Sequence, residues 1–189
     1  PTSSLTMYLH KILLLLPLVG LISCSSSPNR AKPVGNNFTS GTIRLGGDLG
    51  YSTNGTGTMD GSARHLNGNA GYFVTDKVEL GGSVNIEDVN KKHGSANLEA
   101  VSFAVYARAY STTVGPLRTF AELGVGMGSV DAGPASVDFS TFQLSIGMLE
   151  FISKSVAVEL ALEETFYFFD SPNPDGSGLA INLGVSWYL

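Results

Sequence analysis

Residues 178–189 read G-L-A-I-N-L-G-V-S-W-Y-L. Every second side chain is large and apolar: Leu179, Ile181, Leu183, Val185, Trp187 and Leu189. Between them stand Ala180, Asn182, Gly184, Ser186 and Tyr188, small or polar apart from the tyrosine. A period of two marks a strand with two unlike faces. Soluble sandwiches alternate too, but this run is long and its second face is small. A tilted strand needs about 9–11 residues to cross a bilayer, and the run has that length. It cannot cross alone, because every unpaired backbone group in hydrocarbon costs several kcal/mol. The sheet must close, so the rest of the chain has to supply the other strands of a barrel.

Composition agrees with that demand. Charged residues are 14% of the 189, against about 25% in an average soluble domain. Twenty-three glycines and 10% aromatics suit a chain with an apolar outside and a tightly packed inside. The formal net charge of −5 gives nucleic-acid binding no electrostatic support.

The first residues carry the pattern of a secretory signal. Translation is expected to start at Met7. Lys11, with His10, forms a thin positive region, and residues 12–22 are an 11-residue apolar core, too short for a spanning helix. The core ends in Leu21-Ile22-Ser23-Cys24, followed by Ser25-Ser26-Ser27. This resembles the lipobox of bacterial lipoproteins, in which the cysteine becomes the lipidated first residue. Plain cleavage near Ser23 or Ser25 is the alternative. Cys24 is the single cysteine, so no internal disulfide can form. A chain starting at Cys24 would carry 10 basic and 16 acidic residues, a net charge of −6. The expected organisation is a signal peptide over 1–24, a flexible Ser/Pro/Asn/Lys tether over 25–39 and a barrel over 40–189.

Eight strands are predicted: 42–51, 65–74, 78–87, 98–111, 118–128, 139–149, 156–166 and 178–189. Two regularities decide between a membrane barrel and a soluble sandwich. Long polar loops follow the odd strands and short turns the even ones, as in outer-membrane barrels. The mid-strand ionisable residues Arg44, Asp48, Glu79, Arg108, Glu122, Glu159 and Glu163 share the face opposite the large apolar side chains. A Lys or Arg facing lipid at the midplane would cost about 2–4 kcal/mol. Alternation alone cannot say which face is inside. The signal sequence and low charge place the apolar face outside.

The run Gly71-Tyr72-Phe73-Val74-Thr75-Asp76-Lys77-Val78-Glu79-Leu80-Gly81-Gly82 resembles a hairpin of the small bacterial outer-membrane β-barrel domain family. That family includes barrels resembling outer-membrane proteins A, W and X. Arg108-Ala109-Tyr110, the strand Phe120-Ala121-Glu122-Leu123-Gly124-Val125-Gly126 and the aromatic-ended last strand are similar as well. The resemblance spans about residues 38–189. It implies an eight-stranded antiparallel up-and-down transmembrane barrel, integral to the outer membrane, with both termini periplasmic. It also implies that the barrel-assembly machinery reads the last strand through Leu183, Val185, Trp187 and Leu189. The family more often ends in Phe or Trp than in leucine.

An eight-stranded barrel is only just wide enough for its own side chains. Arg44, Asp48, Arg108, Glu122, Glu159 and Glu163 are therefore candidates for a lumen ion-pair plug, with a conducting ion path as the alternative. His93-Gly94-Ser95 resembles the His-x-Ser pair of outer-membrane lipid A deacylases. Here it falls in an early loop, and Ala96-Asn97-Leu98 stands where that family has Asn-Ala-Gly, so catalysis is not expected. His65 reads as a rim residue. Gly124-Val125-Gly126-Met127-Gly128 lies within a strand and is no dinucleotide loop. Residues 171–176 lack the first Asp and last Glu of a calcium loop and read as a turn. No metal or other cofactor is expected. The expected role is structural, adhesive or binding through the outer loops, with outer-membrane lipids and an unidentified extracellular ligand as partners. A narrow pore or hydrophobic-ligand conduit is the second reading, and a lipid-modifying enzyme the third.

Overall fold

The computed structural model describes residues 38–54, 61–91, 97–111, 117–132, 135–170 and 175–189. Eight strands follow one another: β1 (Ile43–Asn54), β2 (Gly61–Phe73), β3 (Val78–Lys91), β4 (Asn97–Tyr110), β5 (Leu117–Ala132), β6 (Ala135–Phe151), β7 (Val156–Phe169) and β8 (Gly176–Tyr188). Each pairs antiparallel with its neighbours, and β1 pairs with β8, so the sheet is a closed barrel. The described residues include no helix.

The stagger of the barrel can be walked through its registers. Arg44 pairs with Gly71, then Gly81, Tyr106, Gly124, Gln143, Thr165 and Gly178 follow around the wall. Gly178 pairs with Asn54, so one circuit climbs ten residues along β1 (54 − 44). With a rise of ~3.3 Å and a strand spacing of ~4.8 Å, that stagger tilts the strands by about 40°.

The alternation resolves as expected, apolar side out. Leu49, Phe103 and Met127 are 65%, 59% and 70% exposed, whereas Arg44 and Glu79 are 0% exposed. Outward apolar rows run from Val78 to Ile86 on β3 and from Leu179 to Leu189 on β8. After tilting, these rows make a belt about 20–25 Å tall, matching the apolar band of outer-membrane barrels. Leu183, Val185, Trp187 and Leu189 all lie on this outer surface, on or just past the strand that closes the barrel against β1. Within the apolar belt, Glu164 departs from the rule: it falls in the outward register of β7, between Leu162 and Phe166.

Strand lengths differ from the sequence reading. The loop expected over 52–64 is largely strand, because Ser52 pairs with Ala63 and Asn54 with Gly61. The β5–β6 hairpin likewise continues to Ala132 and Ala135. Polar residues beyond the apolar belt still gain ladder hydrogen bonds, so the strands run on into water. The connections at the two ends are consequently similar in length, and the expected contrast of long loops and short turns is largely lost. At the turn end, one device recurs. The Thr75 hydroxyl accepts from the backbone N–H of Lys77 and Val78, and the Ser153 hydroxyl from those of Ser155 and Val156. Such hydroxyl turns close tight hairpins.

Inside, two apolar clusters stopper the barrel. At the loop end, Ala63, Val89, Leu98, Ala100, Val130, Phe139, Tyr167 and Phe169 pack together. At the turn end, Phe73, Tyr110, Phe120, Leu149, Ala157 and Tyr188 surround Phe38. Most of the tether expected over 25–39 lies outside the described residues, but Phe38 is 4% exposed. Its ring sits 4.4 Å from that of Phe73, 4.7 Å from Tyr110 and 5.0 Å from Tyr188, with the Arg118 guanidinium 4.4 Å above it. A residue preceding β1 thus fills the mouth at the turn end. Phe38→Ala should lower the unfolding free energy by about 3 kcal/mol. Urea unfolding of the detergent-folded barrel measures it, and an unshifted midpoint would mean the ring packs against nothing that matters.

Candidate functional site: a paired lumen between two stoppers

Between the stoppers, inward positions carry polar and charged groups. The layer nearest the turn end is a connected network. Arg44, on β1, donates from Nε to both oxygens of Glu79 on β3, at 2.9 and 3.1 Å. Its Nη1 reaches Ser186 at 3.0 Å and Glu159 at 3.4 Å, and its Nη2 donates to the Tyr106 hydroxyl at 2.9 Å. Glu79 also accepts from the hydroxyls of Tyr106 at 2.7 Å and Tyr110 at 2.5 Å. Arg108, on β4, pairs with Glu122 on β5 at 2.5 Å and with Glu159 on β7 at 2.8 Å. Its guanidinium lies 4.1 Å over the Phe120 ring. Glu159 therefore bridges the two arginines, and the Tyr188 hydroxyl donates to it at 3.3 Å. Removing charges from water is expensive, and such groups are tolerable only when every lone pair and N–H is engaged. Glu79, with three donors engaging both its oxygens and no exposure, meets that condition.

The backbone makes room for this layer. A Cβ on Gly71 would collide with the carboxylate of Glu79. Glycine on the inner face of β2 lets the Arg44–Glu79 pair lie across that strand, since Arg44 is on β1 and Glu79 on β3.

Of the residues singled out from sequence, Arg44, Arg108, Glu122 and Glu159 come together. Asp48 and Glu163 lie nearer the loop end and meet neither arginine. Asp48 accepts from Asn69 Nδ2 at 3.5 Å and stands 3.8 Å from His65 Nε2. Glu163 accepts from Thr165 at 3.0 Å and from Asn182 at 3.4 Å. His65 is not a rim residue: it is 7% exposed, directed into the lumen by its parity on β2 and seated opposite Gly50. Glu79 was placed on the inner face but not among the plug candidates. Tyr106, Tyr110, Tyr188 and Ser186 join the network as partners that charge pairing alone does not flag, although the same parity puts them there. Cys24, His93 and Ser95 lie outside the described residues.

No family model and no curated protein matches the chain. Solved structures do. Neisserial surface protein A is 12% identical, with a TM-score of 0.62 over 79% of this chain and 97% of that one. The chain has the fold of the small outer-membrane barrels. The attachment invasion locus protein of Yersinia pestis, Ail, is 14% identical at a TM-score of 0.53, over 80% of this chain and 100% of its own. It has also been solved with the heparin analogue sucrose octasulfate. The outer-membrane enzyme PagL is 11% identical at a TM-score of 0.53, over 76% of this chain and 98% of that one. A surface protein, an attachment protein and an enzyme on one architecture show that the barrel does not by itself decide function.

Arg44→Met leaves Glu79 buried without its cation and should lower the unfolding free energy by about 3–5 kcal/mol. Adding Glu79→Gln should recover part of that loss. Both are read from urea midpoints, and a single variant as stable as the native barrel would show the pair to be idle.

Proposed function

We propose that the chain is an integral bacterial outer-membrane barrel with a sealed lumen, both termini in the periplasm, acting through its loop end. Its role is structural, adhesive or binding, not transport. The observation that carries this reading is the sequence of layers within the wall: an apolar stopper at each end and a fully paired charge layer near the turn end. An eight-stranded wall leaves no free channel once such side chains fill it. The apolar belt supplies the contact with outer-membrane lipids.

The loop end bears on the kind of ligand. Asp88, Glu99 and Asp131 occupy neighbouring outward positions across β3, β4 and β5, and all are exposed. Asp138, also exposed, lies on β6, and Arg64 pairs in register with Asp88. An acidic rim repels polyanions. The ligand we propose is therefore not of the polysulfated kind found with Ail but a neutral or cationic surface.

A narrow pore is the second reading, favoured by polar atoms in the upper lumen that have no protein partner. Planar-bilayer recording separates the two. The sealed barrel gives no conductance steps, whereas regular open-channel steps from the native chain would establish a pore. Cys24 is proposed as a lipid anchor for the periplasmic tether. Labelled palmitate should enter the native chain and not Cys24→Ser, and absence of label from the native chain removes the anchor.

A further inference from the structure

The turn-end stopper is built like a receptor with a ligand already in place. Phe38 belongs to no strand, yet it is 4% exposed. Around its ring stand those of Phe73, Tyr110, Tyr188 and Phe151, at centroid distances of 4.4, 4.7, 5.0 and 5.8 Å. The Arg118 guanidinium lies 4.4 Å over its face. These groups come from β2, β4, β8, β6 and β5, so the cage is carried by the wall and not by the strap that fills it. Rings at stacking distance with a cation over one face favour a flat aromatic guest above a saturated one.

The cage has supports that do not involve Phe38. The Tyr110 hydroxyl donates to Glu79 at 2.5 Å and the Tyr188 hydroxyl to Glu159 at 3.3 Å, so the charge layer fixes both rings from within. Phe73 stacks on Tyr110 at 5.2 Å, and Phe151 sits 5.1 Å from Tyr188. Withdrawal of Phe38 would leave a preformed apolar hollow about one ring in size, the kind that takes up benzene-like molecules.

Phe38 itself is lightly held. It makes no hydrogen bond among the described residues. Thr39, Ser40 and Gly41 beside it are exposed. The strap is fastened to the β2–β3 hairpin by the Gly41 N–H on the Phe73 carbonyl at 2.9 Å and the Ser40 hydroxyl on the Val74 carbonyl at 3.2 Å. A turn closed by the Thr42 N–H on the Thr39 carbonyl at 3.0 Å leads the ring into the mouth. That turn needs Gly41, whose φ of +96° is left-handed and strained for any residue with a Cβ.

We propose that the turn-end cage is a binding site for a small, neutral, planar aromatic molecule, and that Phe38 is its built-in, displaceable occupant. The inference does not depend on the sealed-lumen reading, because the Arg44–Glu79 layer lies further in and stays paired when Phe38 leaves.

The full chain is refolded in detergent, with phenol as the probe and cyclohexanol as its saturated counterpart. Phenol should raise the urea midpoint of Phe38→Ala in a saturating manner and leave that of the native barrel nearly unmoved. Cyclohexanol should need a roughly tenfold higher concentration for the same rise. In a second arm, 4-fluorophenylalanine replaces Phe38 and its fluorine resonance is followed. Phenol should move that resonance from its caged position to that of the urea-unfolded chain, and Gly41→Val should lower the phenol concentration required. A folded Phe38→Ala barrel that phenol stabilises no more than the native one overturns the site. Equal action of phenol and cyclohexanol overturns ring recognition. A fluorine resonance unmoved at phenol concentrations that saturate Phe38→Ala makes Phe38 a permanent packing residue and overturns displacement. Where Phe38→Ala fails to give the unboiled, folded band, the fluorine arm decides: a resonance unmoved by phenol, with and without Gly41→Val, overturns the proposal.

Discussion

Closure of β1 onto β8 is the constraint from which the other features follow. An open edge in hydrocarbon would leave a row of backbone donors and acceptors without partners. The strands therefore tilt and stagger until the first meets the last, Arg44 opposite Tyr188 and Asn54 opposite Gly178. Once the circuit closes with a stagger of ten residues along β1 (54 − 44), the lumen radius is set and every inward position must be filled. Parity then allows no compromise. A slip of one residue in any strand would turn its apolar row inward and its charges to lipid.

That closed wall explains the composition of the interior. Ladder hydrogen bonds tie each strand to its two neighbours, but not to strands across the barrel. Arg44 supplies such ties, because three of its partners lie on β3, β4 and β7. Arg108 adds a link from β4 to β7 through Glu159. Tyrosines complete the layer because a phenol spans several ångströms of lumen and still ends in a donor, as Tyr106 and Tyr110 do at Glu79. An ion pair buried like this contributes little net stability compared with well-packed apolar groups. Its distinctive property is directionality: a guanidinium with four fixed partners holds one cross-section of the barrel, where leucines would accept several.

How much of this could be read before the structure depended on what parity can and cannot report. Period-two alternation identified all eight strands and the correct inner face of each, as with Ile43, Leu45 and Leu49 outside and Arg44 and Asp48 inside. It assigned a face but not a height, because height depends on the stagger accumulated over every hairpin. Arg108 and Glu122 are direct register partners across one hairpin and could be paired from sequence alone. Arg44 and Glu79 sit two strands apart and could not. Asp48 and Glu163, indistinguishable by parity from Glu122 and Glu159, sit too far towards the loop end to reach an arginine. His65 was misplaced because β2 was expected to begin there, whereas the strand starts at Gly61 and sets His65 inside the lumen opposite Gly50. The loops are shorter than their Ser, Asn and Gly content suggests, because polar strand residues pair freely beyond the lipid. Phe38 had no periodic signal, since it belongs to no strand.

The same geometry bears on where a function can reside. A lumen lined by small polar residues would leave a path, and mutation could widen it. Here the paired layer lies between two stoppers that are formed differently. The stopper at the loop end is made of strand residues, including Val89, Leu98 and Phe139. The one at the turn end is completed by Phe38, outside the strands. The rest of both stoppers is fixed to the wall, because Phe73, Tyr110, Phe120, Leu149, Ala157 and Tyr188 are strand residues too. A barrel specialised for passage would be expected to keep at least one mouth polar. This one has an apolar cluster at each end, with unpartnered buried polar atoms both in the middle and, at Ser52 and Asn54, at the loop end. On the proposed reading, recognition of other molecules would fall to the outward rows at the loop end, where Asp88, Glu99 and Asp131 stand side by side.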